Sequence, residues 1–333
     1  MNLAVYHAAH EGAVWRDMTH FGRFRVEGRD AATLLHHLTT SDIKRLCPGQ
    51  SCDAPLISNK ARVLDWLTIA RDESGFTVIT SPNRREMLVP HARRFILFRQ
   101  DVTLREVSGV GNLYALFGAT LPDTTAQFQA EAIQSVPTQR LPGNGLWLWS
   151  EDGAALSRGI ASLGIPACDP TTFNVLRVEA GVPVAGAELT EEVNPWEANL
   201  GAHISLAKGC YNGQEIVARL NTYQKVKQKL CGLRLDAPLA FAPGDRLALQ
   251  AAGKDAGFLT SAVESPQWGP IALGYVRTNL QTAGQRLTLL SADPPREATE
   301  ATVVELPFTS PADQSPQPAA QTAAAPTVAT MSN

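Results

Sequence analysis

The chain has 333 residues, with 29 Lys+Arg against 32 Asp+Glu and a formal charge of −3. That length exceeds one compact core, so two or three domains are predicted, and 44% hydrophobic content is enough to give them buried interiors. The charge excludes a wholesale nucleic-acid coat protein, which would be strongly basic. An odd five cysteines exclude a disulfide framework and suit a reducing compartment.

The first twenty residues carry three histidines (His7, His10, His20) and no basic region followed by an apolar one, so no export signal is read there. No run of about 18 apolar residues occurs, so no membrane span is predicted and the expected compartment is the cytoplasm. Phe21 to Glu27 alternates, with Phe24 and Val26 on one face and Arg23 and Arg25 on the other, which predicts a strand. Asp30 is the expected cap of a following helix whose stripe is Leu34, Leu35 and Leu38. Cys47-Pro48-Gly49-Gln50 ends that unit. Val63 to Ala70, a turn at Asp72 to Gly75, and Phe76 to Thr80 predict a hairpin. A helix is predicted over Pro82 to Phe98, with Pro90 as a kink or break. Further strands are expected at 101–107, 113–117 and 146–149. Asp169-Pro170 opens a helix that Gly181 closes. Short strands and Gly or Pro-Gly turns from Lys229 to about Leu306 predict a small β-barrel or sandwich. The last segment is rich in Pro, Ala, Gln and Thr and lacks aromatics, so 309–333 is expected to be a disordered tail.

The most informative segment is Lys208 to Glu215, KGCYNGQE. Asn212 and Glu215 have capping-box spacing, so a helix is predicted to start there. Cys210 would then lie two residues before a helix N-terminus and close to Lys208, both of which favour a thiolate. The alternative is a small core cysteine. Cys47 and Cys52 lack zinc-site spacing and the histidines show no ligand pattern, so no metal site is predicted.

KGCYNGQE resembles the signature of the YgfZ-type folate-binding proteins, relatives of the glycine-cleavage T protein (aminomethyltransferase). The stretch from Arg177 to Pro183, Glu188-Leu189, Asn194 to Leu200 (NPWEANL), and Leu56 to Leu67 (LISNKARVLDWL) are similar to the same families. The resemblance covers about residues 10 to 305. It implies an α+β, three-domain ring around a cavity for tetrahydrofolate or a one-carbon derivative. Residues 1–52 and 111–228 would form a discontinuous first domain, 53–110 an inserted second one, and 229–308 the barrel. It implies folate contacts from Glu197, with Glu179 as second choice, and from Asn59, Lys60 and Arg62 on one turn, with Trp196 or Tyr211 walling the pterin. Cys210 and Lys208 are the implied catalytic candidates. For Cys210 three roles stay open: a nucleophile toward a one-carbon unit, a transient thiolate ligand, or a redox-sensitive thiol. Arg84, Arg85, Arg93, Arg94 and Arg99 could meet a folate tail or a tRNA phosphate, or form a solvated helix face. The T-protein branch places a folate-contacting aspartate where Met87 stands here, beside Glu86. Its absence implies an accessory protein for iron–sulfur enzymes, including tRNA-modifying ones. Its expected partners are iron–sulfur proteins or their assembly machinery, with no membrane. Aminomethyl transfer to tetrahydrofolate is the alternative.

Overall fold

The alternation at 21–27 does form a strand, and it sits inside a sheet. A computed structural model describes residues 1–242, 244–290 and 298–308. The order begins α1 (Leu3–Glu11), β1 (Ala13–Asp17), β2 (Gly22–Glu27), α2 (Ala31–Leu38), β3 (Ser51–Ile57), β4 (Val63–Asp72), β5 (Gly75–Thr80), α3 (Arg85–Arg93) and β6 (Thr103–Glu106). It continues β7 (Asn112–Gly118), α4 (Thr125–Ala130), β8 (Gln134–Thr138), β9 (Asn144–Ser150), α5 (Gly153–Ser162), α6 (Pro170–Glu179) and α7 (Gln214–Thr222). The end holds β10 (Gln228–Leu235), β11 (Leu247–Ala251), β12 (Lys254–Ser265), β13 (Gly269–Arg277), β14 (Arg286–Leu290) and β15 (Ala298–Val304).

One sheet has the order β3-β4-β5-β2-β6. Phe24 and Val26 of β2 meet Leu34, Leu35 and Leu38 of α2 in its core, where Leu88 and Ala92 of α3 also pack. Burying such side chains stabilises by roughly 1.5–3 kcal/mol each. Arg23 lies on the face opposite Phe24 and Val26, as read, but it is buried there, and its guanidinium donates to the carbonyls of Val107, Val110 and Asn112. Two local expectations change. Asp30 makes no side-chain cap; its carboxylate accepts from the Asp101 N–H instead. The 82–98 helix becomes a short 3-10 turn and then α3, which closes at Arg93, three residues after Pro90. The pairing also crosses the expected boundary at 52/53, because that position falls within β3 and β2 lies between β5 and β6. The expected tail, 309–333, lies outside the described residues.

The second sheet has the order β1-β7-β9-β8. Successive side chains of β7 point to opposite faces. Leu113, Ala115 and Phe117 join Tyr6 of α1 and Val175 of α6. Tyr114 and Leu116 join Leu156 and Ile160 of α5. Asp169 caps α6 as expected, accepting from the N–H groups of Thr171 and Thr172, with Pro170 in the first turn.

The C-terminal strands close into a barrel in the order β10-β13-β12-β11-β14-β15. Closure comes from β10, which pairs with both β13 and β15 and so leaves no free edge. The fold is therefore α+β with a six-stranded C-terminal barrel. A buried ion pair fastens the barrel to α6: Arg177 Nη1 lies 3.0 Å from Glu188 Oε2, and the Ser261 and Thr260 hydroxyls donate to Glu188 Oε1. Replacing Arg177 by Leu leaves a buried carboxylate without its cation, which costs about 3–5 kcal/mol. Urea unfolding of Arg177→Leu should show that loss, and a midpoint equal to wild type would refute the role.

Candidate functional site

The octapeptide folds differently from its capping-box reading. The cap of α7 is Gly213, with φ +75° and no side-chain cap. A Cβ there would sit 2.7 Å from the Ser58 carbonyl oxygen, so glycine is required both by its backbone angle and by the close approach of the β3–β4 turn. Asn212 instead donates its amide to the Ile57 carbonyl, and its backbone N–H goes to the His37 carbonyl. Cys210 precedes the cap by three residues and is exposed.

Lys208 has a different role from the one expected. It is 6% exposed. Its ammonium donates to the carbonyls of His36, Thr39 and Ser41 at 2.6, 2.6 and 2.7 Å. Burial pushes its pKa down to about 7, with Asp42 pulling the other way. Three acceptors match the three hydrogens of the charged form. No donor is left to act on a thiolate or ligand, so Lys208 is a positioning residue. Its Nζ also lies 4.6 Å from the centre of the Tyr211 ring.

The structure brings most of the other candidates to one junction. Asn59 and Lys60 are exposed on the β3–β4 turn, where Ser58 N–H donates to the Arg62 carbonyl. Arg62 Nη1 lies 4.0 Å from Glu197 Oε2 and donates to the Glu192 carbonyl at 2.7 Å. Glu197, 5% exposed, accepts from the Asn194 N–H, while the Asn194 side chain accepts from the N–H groups of Trp196 and Glu197. That is a reciprocal cap on a single turn. Burial raises the Glu197 carboxyl pKa, opposed first by the Asn194 N–H and then by Arg62. Trp196 donates its indole N–H to the Val217 carbonyl of α7. Tyr211 packs with Ile57, Ala61 and Val217, its hydroxyl buried without a partner and its pKa pushed up to about 12 by burial. Glu179 lies elsewhere. It accepts from the Tyr6 and Ser265 hydroxyls and meets His10 Nε2 at 3.0 Å, joining α1, α6 and the barrel.

The structure has a cavity of about 360 Å³ whose wall residues the sequence reading did not name as candidates. Its wall includes Trp66 of β4, Ser81, Arg140, Phe21, Trp147 and Phe173. Neither Glu197 nor Met87 is among the described residues lining it. Met87 packs against the core under the first sheet. Trp66 is 4% exposed and its indole N–H has no partner. The Arg140 guanidinium is buried, donates to Thr68 Oγ1 and the Ile79 carbonyl, and lies 5.9 and 5.7 Å from the Phe21 and Trp147 rings. The nearby acids are already engaged. Asp65 accepts from the Thr80 and Ser81 hydroxyls and the Ser81 N–H, and Asp53 from the Thr68 and Thr138 hydroxyls. The sequence marks Trp66 only as one more apolar strand residue, and Arg140 sits in a connection with no periodicity.

Residues 4–134 match the GCVT N-terminal domain, and residues 228–309 match the Glycine cleavage T-protein C-terminal barrel domain. A chloroplastic "Putative transferase" of Arabidopsis thaliana is 30% identical over 299 residues, spanning 84% of this chain and 68% of that protein. This chain belongs to the glycine-cleavage T-protein family. The aminomethyltransferase of Saccharopolyspora erythraea is 28% identical, over 92% of this chain and 89% of the other. The solved glycine cleavage system aminomethyltransferase T of Bartonella henselae shares the fold, with a TM-score of 0.75 and 21% identity over 92% of this chain and 89% of that one. The T-protein family frame agrees with the closed barrel after residue 228. Within it, the Lys208 contacts are expected to hold the octapeptide loop. Lys208→Met removes the donor shared by three buried carbonyls, and Ser41 alone keeps another, the Ile43 N–H. Amide exchange should then quicken across 36–41 and 203–213, and unchanged protection there would refute the role.

Proposed function

We propose that the chain binds tetrahydrofolate, or a one-carbon derivative, in the cavity beside Trp66, and serves as an accessory protein for assembly or repair of iron–sulfur enzymes, tRNA-modifying ones included. The observation that carries the binding reading is the buried, unpartnered Trp66 indole N–H in an aromatic-walled cavity. A buried donor with no partner costs about 1–3 kcal/mol, and a ligand acceptor would recover it. The volume lies in the range of small-molecule sites. Phe21, Trp147 and Phe173 would wall a flat, acceptor-bearing ring, and Arg140 and Ser81 line the same cavity. Tetrahydrofolate, when bound, supplies two nitrogens that can carry a one-carbon unit.

The accessory reading draws on the octapeptide and its exposed Cys210. It also draws on the cavity wall, which among the described residues holds no carboxylate to move a proton during methylene transfer. Five free thiols fit the proposed cytoplasmic setting. Among the described residues, no helix is long and apolar enough to cross a membrane. The second reading, aminomethyl transfer, draws on the name of a relative 28% identical to this chain. Purified protein given aminomethyl-lipoyl carrier and tetrahydrofolate would then release ammonia, whereas the accessory reading expects none.

Calorimetric titration with tetrahydrofolate tests binding directly, and no heat of binding would sink both readings. Trp66→Phe should weaken affinity by roughly fivefold, the worth of about one hydrogen bond. Glu197→Gln should weaken it less than that, because the Glu197 carboxylate already serves Asn194; a larger loss at Glu197 would return the pterin to the junction. In a deletion strain, Cys210→Ala is expected to bind folate normally but fail to restore iron–sulfur enzyme activities. Full restoration would remove the main support for a role of that thiol.

A further inference from the structure

Helix α7 buries only Val217 against the junction. Its outer side carries Ile216, Arg219, Leu220 and Tyr223, spaced i, i+3, i+4 and i+7, which places them on one helical stripe. Together with Lys225 they line an open groove of about 330 Å³. Ile216 is 37% exposed, Tyr223 62%, and the preceding Leu206 51%. Large apolar side chains held in water at such spacing mark a binding face. The charge around them is one-sided. Arg219 and Lys225 on the groove wall form no ion pair among the described residues, and Glu215 is the one acid on α7. This cationic rim belongs to a chain whose net charge is −3.

From this we infer that the α7 stripe is a docking surface for an acidic amphipathic helix of a partner protein. The partner's apolar residues would seat along Ile216, Leu220 and Tyr223, and its carboxylates would meet Arg219 and Lys225. The helical spacing of the stripe matches helix-in-groove recognition. The apolar centre within a charged rim has the layout of a protein interface. A nucleic acid would find cations here but only one exposed ring, Tyr223, for stacking. The inference rests on the accessory-protein reading for its purpose, since such a protein must meet its clients, but not on folate occupancy.

The test uses the full chain and a fluorescein-labelled 18-residue peptide with leucines at i, i+3, i+4 and i+7 and glutamates between them. A scrambled peptide of the same composition is the control. Anisotropy at 150 mM salt should show the patterned peptide binding at least tenfold tighter than the scrambled one. Ile216→Asp and Tyr223→Asp should each remove that preference with an unchanged melting temperature, both residues being exposed. Arg219→Glu with Lys225→Glu should weaken the patterned peptide about tenfold. Equal binding of the two peptides overturns the proposal, as does indifference to the substitutions. It is also overturned if tRNA binds at this face and the peptide does not, or if sedimentation shows a dimer that Ile216→Asp abolishes. Tetrahydrofolate calorimetry on the same samples separates the two conclusions, because intact folate binding without peptide binding rejects the docking surface alone.

Discussion

Three backbone carbonyls from the end of α2 and the loop after it converge on one buried ammonium, Lys208 Nζ. Much of the site geometry depends on that convergence. Charge-assisted hydrogen bonds of this length are among the stronger ones available to a protein. They are joined by the Thr40 and Ser41 hydroxyls, which both donate to the His203 carbonyl, and by the Ser205 N–H donating to Thr40. Residues 36–41 and 203–212 therefore act as one unit. That unit sets where Gly213 meets the Ser58 turn, where α7 starts, and which side of α7 is left in water.

The same logic explains why the cavity beside Trp66 holds its shape. Arg140 is a cation with aromatic rings near it and carbonyl or hydroxyl acceptors around it. Asp53 and Asp65 are each surrounded by hydroxyl and N–H donors. A buried polar network is rigid when nearly every member is satisfied, and the member that is not then stands out. Trp66 is that member. Its unpartnered N–H is the reason to look for a ligand there and not at the more charged junction of Arg62 and Glu197. The two places share strand β4 and the turn before it, so a change in one is expected to be felt in the other.

Cys210 keeps its interest for a changed reason. The expected activation by Lys208 and a close helix start is replaced by exposure on a loop whose neighbours are held fixed. Under the proposed function, an exposed thiol on a loop with pinned neighbours is where another protein would meet this one.

Several features were legible in the chain by itself. The β2 alternation, the β4–β5 hairpin turn, the Asp169-Pro170 start of α6 and the strand-rich end all follow from local pattern, because side-chain period and turn chemistry act over a few residues. The octapeptide and NPWEANL carried the family likeness. Other features lay beyond any local reading. Asn212 has the spacing of a cap, yet its amide is drawn to Ile57 across 155 residues, and Gly213 takes the cap position because another turn presses on it. Lys208 looks like a partner for the next cysteine until three carbonyls from 167 to 172 residues away surround it. Trp66 and Arg140 are unremarkable in their own segments and come to line one cavity only in the folded chain. The sequence by itself determined the β2 strand, the β4–β5 hairpin, the start of α6, the strand-rich end and the family likeness. Only the tertiary structure decided which polar groups are satisfied, because a hydrogen bond is settled by the nearest partner in space, and for these groups that partner is far away along the chain.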